Sequence, residues 1–266
     1  MLDLQNTQFL TKAEIKERAA SVFTTQGAES TSDKYTHIPT DRIIDDMQLL
    51  GWGVVDAKQV KARKGIGYQK HLLVFRNNDV VINGEDGDTV FPQILLTNSH
   101  DGKNAFTFTA GLFRMVCENG LVVSTKEFEN VKIRHMGYDF ETLQETIKMM
   151  VEKLPLTVEA MNTLRQTELS QEQALAFAKE ALEVRFGADT NNIQIDLQDL
   201  ITPTRHEDKG NDLWSVFNVV QEKLIDGGFQ YAYGSKLRKA RRIKNFKQDL
   251  ELNAKLFDLA LEYVAA

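Results

Sequence analysis

Cysteine is almost absent from this chain: Cys117 stands alone among 266 residues. A single thiol cannot close an intrachain disulfide, and with no CxxC pair or Cys/His cluster there is no structural zinc pattern. A reducing cytosol is therefore the expected compartment. Long apolar runs are missing too, since none approaches the ~18–20 residues that cross a bilayer. The opening Met1-Leu2-Asp3-Leu4-Gln5 has neither the basic start nor the apolar stretch of a secretory leader. GxSxG, GxxxxGK[ST] and GxGxxG are all absent, and Gly65-Ile66-Gly67 is too short to count. No internal repeat or low-complexity tract appears. The expectation is a soluble cytoplasmic protein without a cofactor or metal, in which binding is favoured over turnover.

What is present is enough to build a core. Hydrophobic residues make up 42% of the chain, and the length fits one large domain or two small ones. The formal net charge of −6 argues against wholesale coating of nucleic acid, but the charge is segregated. Lys236, Arg238, Lys239, Arg241, Arg242, Lys244 and Lys247 fall within KLRKARRIKNFK, which has no acidic residue. A second basic stretch holds Lys58, Lys61, Arg63, Lys64 and Lys70. Carboxylates gather in Glu85-Asp86-Gly87-Asp88 and from Glu141 to Glu183.

The pattern predicts α+β architecture: a central antiparallel sheet with hairpins and a short buried helix, followed by a mainly helical C-terminal half. Residues 1–35 read as a mobile N-terminal arm with a short helix over Ala13–Ala20, residues 36–137 as the α+β core, and 138–266 as helices packed on that core. Thr40 is the expected N-cap of a helix bearing Ile43, Ile44, Met47 and Leu50. His71–Arg76, Val80–Ile82, Phe91–Thr97, Phe106–Thr109, Leu121–Val123 and Val131–Ile133 have strand character, and Ala110–Glu118 suits the buried helix. Further on, one helix shows Phe140, Leu143, Ile147, Met150 and Leu154 on a face, with Pro155 stopping or bending it. Ser170-x-x-Gln173 has the form of a capping box, and Gly187 that of a C-terminal cap. Leu213, Val216, Phe217, Val220 and Leu224 form another stripe ending at Gly227-Gly228. A last helix is expected to begin in the basic run and to continue through Phe246, Leu250, Phe257 and Leu261.

The densest motif is Thr97-Asn98-Ser99-His100-Asp101-Gly102-Lys103-Asn104-Ala105-Phe106, followed by Gly111-Leu112-Phe113-Arg114-Met115-Val116-Cys117-Glu118-Asn119-Gly120-Leu121. It resembles the core of the phage- and plasmid-borne proteins grouped as domain of unknown function 932. Gly51-Trp52 with Gln59, Arg63 and Lys70-His71, then Leu213-Trp214-x-x-Phe217-Asn218-x-x-Gln221-Glu222, and an ending around Arg241-Arg242-Ile243 extend the resemblance from about Ile38 to the C-terminus. The resemblance implies cargo of a mobile element, with roles in DNA maintenance, recombination or evasion of host defence. It transfers no catalytic residue.

Within the motif, Asp101-Gly102 is the natural hairpin turn, with Asn98, Ser99 and His100 satisfying loop backbone groups. The competing reading is a ligand loop in which Asn98, Ser99, His100, Asp101, Lys103 and Asn104 hold a phosphate. His71 and His135 beside His100 lack any HxH or HExxH spacing, so no metal is expected. Cys117 reads as a packed thiol, and Arg205-His206-Glu207-Asp208 as a solvated loop. The basic segments carry the better signal, because Lys236, Lys239 and Arg242 recur near helical spacing, as do Arg238 and Arg241. Phe229, Tyr231 and Tyr233 alternate just before them, and Tyr68 sits among Lys64, Lys70 and His71. Aromatic rings beside a cationic track suit single strands, although the same alternation fits one buried side of a strand. The expected function is a DNA-binding accessory protein of a mobile element, binding single strands in annealing or recombination, with no membrane and with an oligomeric assembly. The alternatives are a metal-dependent nuclease or other hydrolase using the 98–104 loop, and a protein-binding inhibitor of host defence.

Overall fold

The computed structural model describes residues 8–32, 35–62, 66–83, 89–104, 106–114, 119–122, 131–133, 139–206 and 208–265. The chain divides into two compact units, Met1–Gly120 with Lys126–Leu154, and Leu121–Thr125 with Pro155–Ala266.

Unit 1 is built on an antiparallel sheet. Strands β1 (Gly53–Gln59), β2 (His71–Arg76), β4 (Thr89–Asn98) and β5 (Phe106–Arg114) lie side by side in that order. β3 (Ile82–Asn83) pairs with β4, β7 (Val131–Ile133) with β5, and β6 (Asn119–Val122) continues the order beside β5. All six residues of β2 are buried, as expected of a central strand whose sequence is a continuous apolar run between His71 and Arg76. Arg76 lays its guanidinium over the Phe91 ring, 3.3 Å from the centroid. Helix α2 (Thr40–Leu49) buries Ile43, Ile44 and Met47 of the stripe read from sequence, while Leu50 follows the helix and is half-buried. α3 (Phe140–Glu152) buries Leu143, Ile147 and Met150 behind an Asp139 cap.

Three expectations change here. Ala110–Arg114 is not helical but the continuation of β5, paired residue by residue with β4 from Val90↔Arg114 to Ile94↔Ala110. Met115–Glu118, with Cys117, lies outside the described residues. Thr40 is the first helical residue rather than the cap, and its buried hydroxyl serves a different purpose, described below. The segment read as a mobile arm carries α1 (Lys12–Arg18), capped by Thr11 and Glu14 in a reciprocal capping box, and a 3-10 turn over Ala20–Phe23. Ile15, Ala19 and Val22 are wholly buried, and the Leu10 amide donates to the Val54 carbonyl of β1 at 2.7 Å. The Phe9 ring lies on Gly53, where any Cβ would overlap it.

Unit 2 is mainly helical. α4 (Leu154–Gln166) opens with Pro155 in its first turn, where a missing N–H costs nothing. α5 (Gln171–Phe186) begins at the Ser170–Gln173 capping box and ends at Gly187 with φ of 68°. α6 (Gln198–Ile201) is short. α7 (Leu213–Asp226) is buried almost all round, which the sequence registered only as a stripe. α8 (Phe246–Ala265) packs on α5 and α7. Phe217 is at the centre, with ring contacts to Trp214 and Phe257. Between α7 and α8, the Gln221 amide donates to Asn253 Oδ1 at 2.6 Å, a buried polar pair that fixes the register of the two helices. In the Arg205–Asp208 loop His206 is exposed, as read from sequence, but Asp208 is buried, 3.0 Å from Arg205, which also meets Glu222.

The largest revision concerns the basic run. It does not start the last helix. Lys236–Lys239 is strand β10, paired antiparallel to β9 (Gln230–Tyr233), and β8 (Ile193–Gln194) completes a three-stranded sheet in the order β10-β9-β8. Residues 240–245 follow without regular secondary structure, and α8 begins only at Phe246.

Candidate functional site

The central motif folds into the connection between β4 and β5. Gly102 has φ of 72°, and the Asp101 carboxylate accepts from the Ser99 hydroxyl at 2.7 Å and the Lys103 amide at 3.0 Å, which closes the turn. The Asn104 amide donates to Ser99 Oγ at 3.0 Å. Asn98, Ser99 and His100 are wholly buried, while Lys103 is exposed. Of the six residues proposed as a ligand loop, four thus spend side-chain polar groups on the loop itself: Ser99, Asp101 and Asn104, and Asn98, whose Oδ1 accepts from the Ser99 amide at 2.8 Å.

His71 lies across from Asn98 in the β2–β4 register. Its Nδ1 lies 3.2 Å from the Gln69 carbonyl oxygen, which can only accept, so the neutral ring carries its proton there. Nε2 then accepts from the Thr40 hydroxyl at 3.1 Å, and Thr40 Oγ1 accepts the Asn98 amide at 3.0 Å. Ser21 Oγ of the N-terminal segment sits 3.1 Å from Nδ1. Burial lowers the His71 pKa to about 4, partly opposed by the Gln69 hydrogen bond. The His100 ring is 5.2 Å from His71 and 4.6 Å from His37. The imidazoles of His37, His71 and His100 thus gather in one cluster, with the Ala28 amide donating to the His100 carbonyl at 2.8 Å. Among the described residues, no group of three His, Cys, Asp or Glu side chains could hold a metal ion. His135, the third histidine considered from sequence, lies outside them. The roles of Ser21, His37 and Thr40 were not legible, because the chain brings them back across the sheet from far away in sequence.

The basic residues divide between the units. In unit 1, Lys58 on β1 pairs with Asp56 at 2.9 Å, Lys61 is exposed, Tyr68 and Lys70 are half-buried, and Arg63 and Lys64 lie outside the described residues. In unit 2 the structure brings the run together as an exposed ribbon. Lys236, Arg238, Lys239, Arg241, Arg242, Lys244 and Lys247 are all exposed. Arg242 pairs with Asp226 at 3.1 Å and Lys247 with Glu251 at 3.6 Å. Lys236, Arg238, Lys239, Arg241 and Lys244 have no carboxylate within 4.0 Å among the described residues.

The ribbon is firmly anchored. Gly227, at φ of 74°, comes so close that an added Cβ would lie 2.6 Å from the Ala240 carbonyl oxygen. Gly228 donates to that same oxygen, Ala240 to Phe229, and Ile243 to Ile225. Arg185 at the end of α5 donates to the carbonyls of Leu224 and of Arg241, the latter at 2.8 Å, with its guanidinium over Phe186 and Phe229. Residues directly opposed in an antiparallel pair share a face. The pairs Tyr233↔Lys236 and Tyr231↔Arg238 therefore put two tyrosines and two cations on one side of the hairpin. Phe229 is buried and cannot serve as a stacking platform, whereas Tyr231 and Tyr233 are half-buried. The Arg238 guanidinium lies 4.7 Å from the Tyr233 ring centroid.

These features define a two-unit α+β protein with a strongly cationic hairpin on its helical unit. The chain belongs to the family described as Domain of unknown function (DUF932), whose profile matches residues 28–257. It is similar to the UPF0380 proteins YfjQ and YafZ of Escherichia coli (strain K12), each 31% identical over 258 residues that cover 94% of this chain and 90% of the relative. No solved structure matches it. No helix among the described residues is long and apolar enough to cross a membrane.

Proposed function

We propose that this chain is a DNA-binding accessory protein of a mobile element, acting in annealing or recombination, and that the ribbon of unit 2 is its phosphate contact. One observation carries the reading. Five cations within nine residues, Lys236 to Lys244, are exposed without an ion-pair partner among the described residues, in a protein whose net charge is −6. A charged edge strand also guards a sheet against pairing with other chains. That purpose accounts for β10 but not for Arg241 and Lys244, which follow the strand. A backbone tied down at Gly227, Gly228 and Ala240 keeps the positive charges in place, so little order has to be gained on binding.

The test is a salt titration of binding to a labelled oligonucleotide, with the triple variant Lys239→Ala, Arg241→Ala, Lys244→Ala alongside. Wild-type affinity should fall steeply with salt, and removal of three phosphate contacts should flatten the double-logarithmic slope by about 2. Binding indifferent to salt, or a triple variant that binds like the wild type, rules the reading out.

A further inference from the structure

Resting on that reading, we infer that the tyrosine-bearing face of the β9–β10 hairpin selects unpaired nucleic acid, with Tyr233 and Arg238 as a stacking seat for a base and Lys236 beside it for a phosphate. The register is the ground for this. Side chains alternate along a strand, so Tyr231, Tyr233, Lys236 and Arg238 share one side, while Gln230, Ala232, Leu237 and Lys239 take the other. The aromatic series grades along that side. Phe229 is in the core, Tyr231 touches Phe186 with ring centroids 5.4 Å apart, and Tyr233 lies next to the turn at Gly234, with Arg238 over its ring.

A duplex hides the faces of its bases inside the stack and offers only phosphates and groove edges; an unpaired strand offers both a base face and a phosphate. Arg238, held over Tyr233, presents the flat guanidinium that bases stack upon. A purely protective edge strand has no use for a tyrosine under an arginine. An extended acidic peptide could pair with the β10 backbone and meet the same cations, but it would gain nothing from a ring that lies on the sheet's face and not along its edge.

The experiment uses the full chain and measures anisotropy of a labelled oligothymidylate and of a labelled duplex of the same length. Variants are Tyr233→Ala, Tyr233→Phe, Tyr233→Trp and Arg238→Ala. Tyr233→Ala should weaken oligothymidylate binding about tenfold, leave the duplex unchanged and preserve the salt slope, since stacking releases no counterions. Tyr233→Phe should bind like the wild type, and Tyr233→Trp at least as tightly. Because Phe and Trp keep the packing, they separate stacking from loss of fold. Arg238→Ala should weaken the single strand more than the duplex. If Tyr233→Ala binds both ligands like the wild type, or weakens both equally while Tyr233→Phe fails to restore the difference, the stacking seat is wrong though phosphate binding stands. If an acidic peptide competes as well as oligothymidylate and Tyr233→Ala does not alter that competition, the edge takes peptide instead. Wild type that binds neither nucleic acid removes both readings together.

Discussion

At the scale of single residues, His71 has the clearest consequence. Its folded pKa of about 4 lies below the ordinary imidazole value near 6.5, because burial penalises the charged ring. Above pH ~6.5 the ring is neutral in both folded and unfolded chains and adds no pH dependence. As pH falls from there towards 4, the unfolded chain takes up a proton that the folded one refuses, so stability is lost across that window. The loss totals about 3 kcal/mol, at ~1.4 kcal/mol per pH unit, and stops below pH ~4. Urea midpoints at stepped pH should therefore decline for the wild type more steeply than for His71→Gln, which cannot titrate. Parallel declines in the two proteins would show that the imidazole carries none of the acid sensitivity. His71 was visible in the sequence only as a polar start to an apolar strand. Its partners Ser21 and Thr40 come from segments read as an arm and a cap, and a hydroxyl does not announce from sequence whether it caps a helix or serves a distant ring.

At the scale of elements, the C-terminal end of α7 joins the helical core to the ribbon. Gly227 combines a positive φ with a neighbour 2.6 Å from where a side chain would begin, and that neighbour is backbone, which cannot rotate away. Gly227→Ala should cost about 2–3 kcal/mol, more than the left-handed conformation alone, and should loosen the 240–243 segment that carries Arg241 and Arg242. The check is thermal unfolding together with amide exchange at Ala240 and Ile243, which should speed up even under conditions where α5 and α8 remain protected. This glycine pair was legible as a helix stop, as was the Ser170 capping box of α5, because local chemistry decides both. β10 was not legible. Lysine and arginine favour helix when packing is silent, so KLRKARR reads as the first turns of α8 until the Gly234-Ser235 turn and the pairing with Tyr231 and Tyr233 override that preference. The apolar run beginning at Ala110 failed for a related reason: four to eight buried residues fit either a strand or a helix, and the long-range partner β4 settled the matter.

At the scale of the whole molecule, a local positive ribbon competes with a net charge of −6, and ionic strength decides which of them a polyanion feels. Near 0.1 M salt the screening length is about 10 Å, so an approaching phosphate chain senses the cations it touches and little else. Near 0.01 M the screening length is about 30 Å, so charges well beyond the contact are felt and the surplus of carboxylates opposes association. Counterion release alone would give a straight double-logarithmic plot, with a slope near −3.5 for a single strand contacting the five cations from Lys236 to Lys244 that lack an ion pair among the described residues. The two effects together predict a plot that is straight above about 50 mM salt and bends towards a plateau below about 20 mM, where further dilution strengthens the repulsion as fast as it favours release. Equilibrium titrations carried down to that range should show the bend. Charge-neutralising substitutions in the acidic Glu141–Glu183 stretch, remote from the ribbon in sequence, should straighten it without altering the slope at higher salt. A plot that stays linear to the lowest salt would mean that the ribbon acts free of the molecule's overall charge.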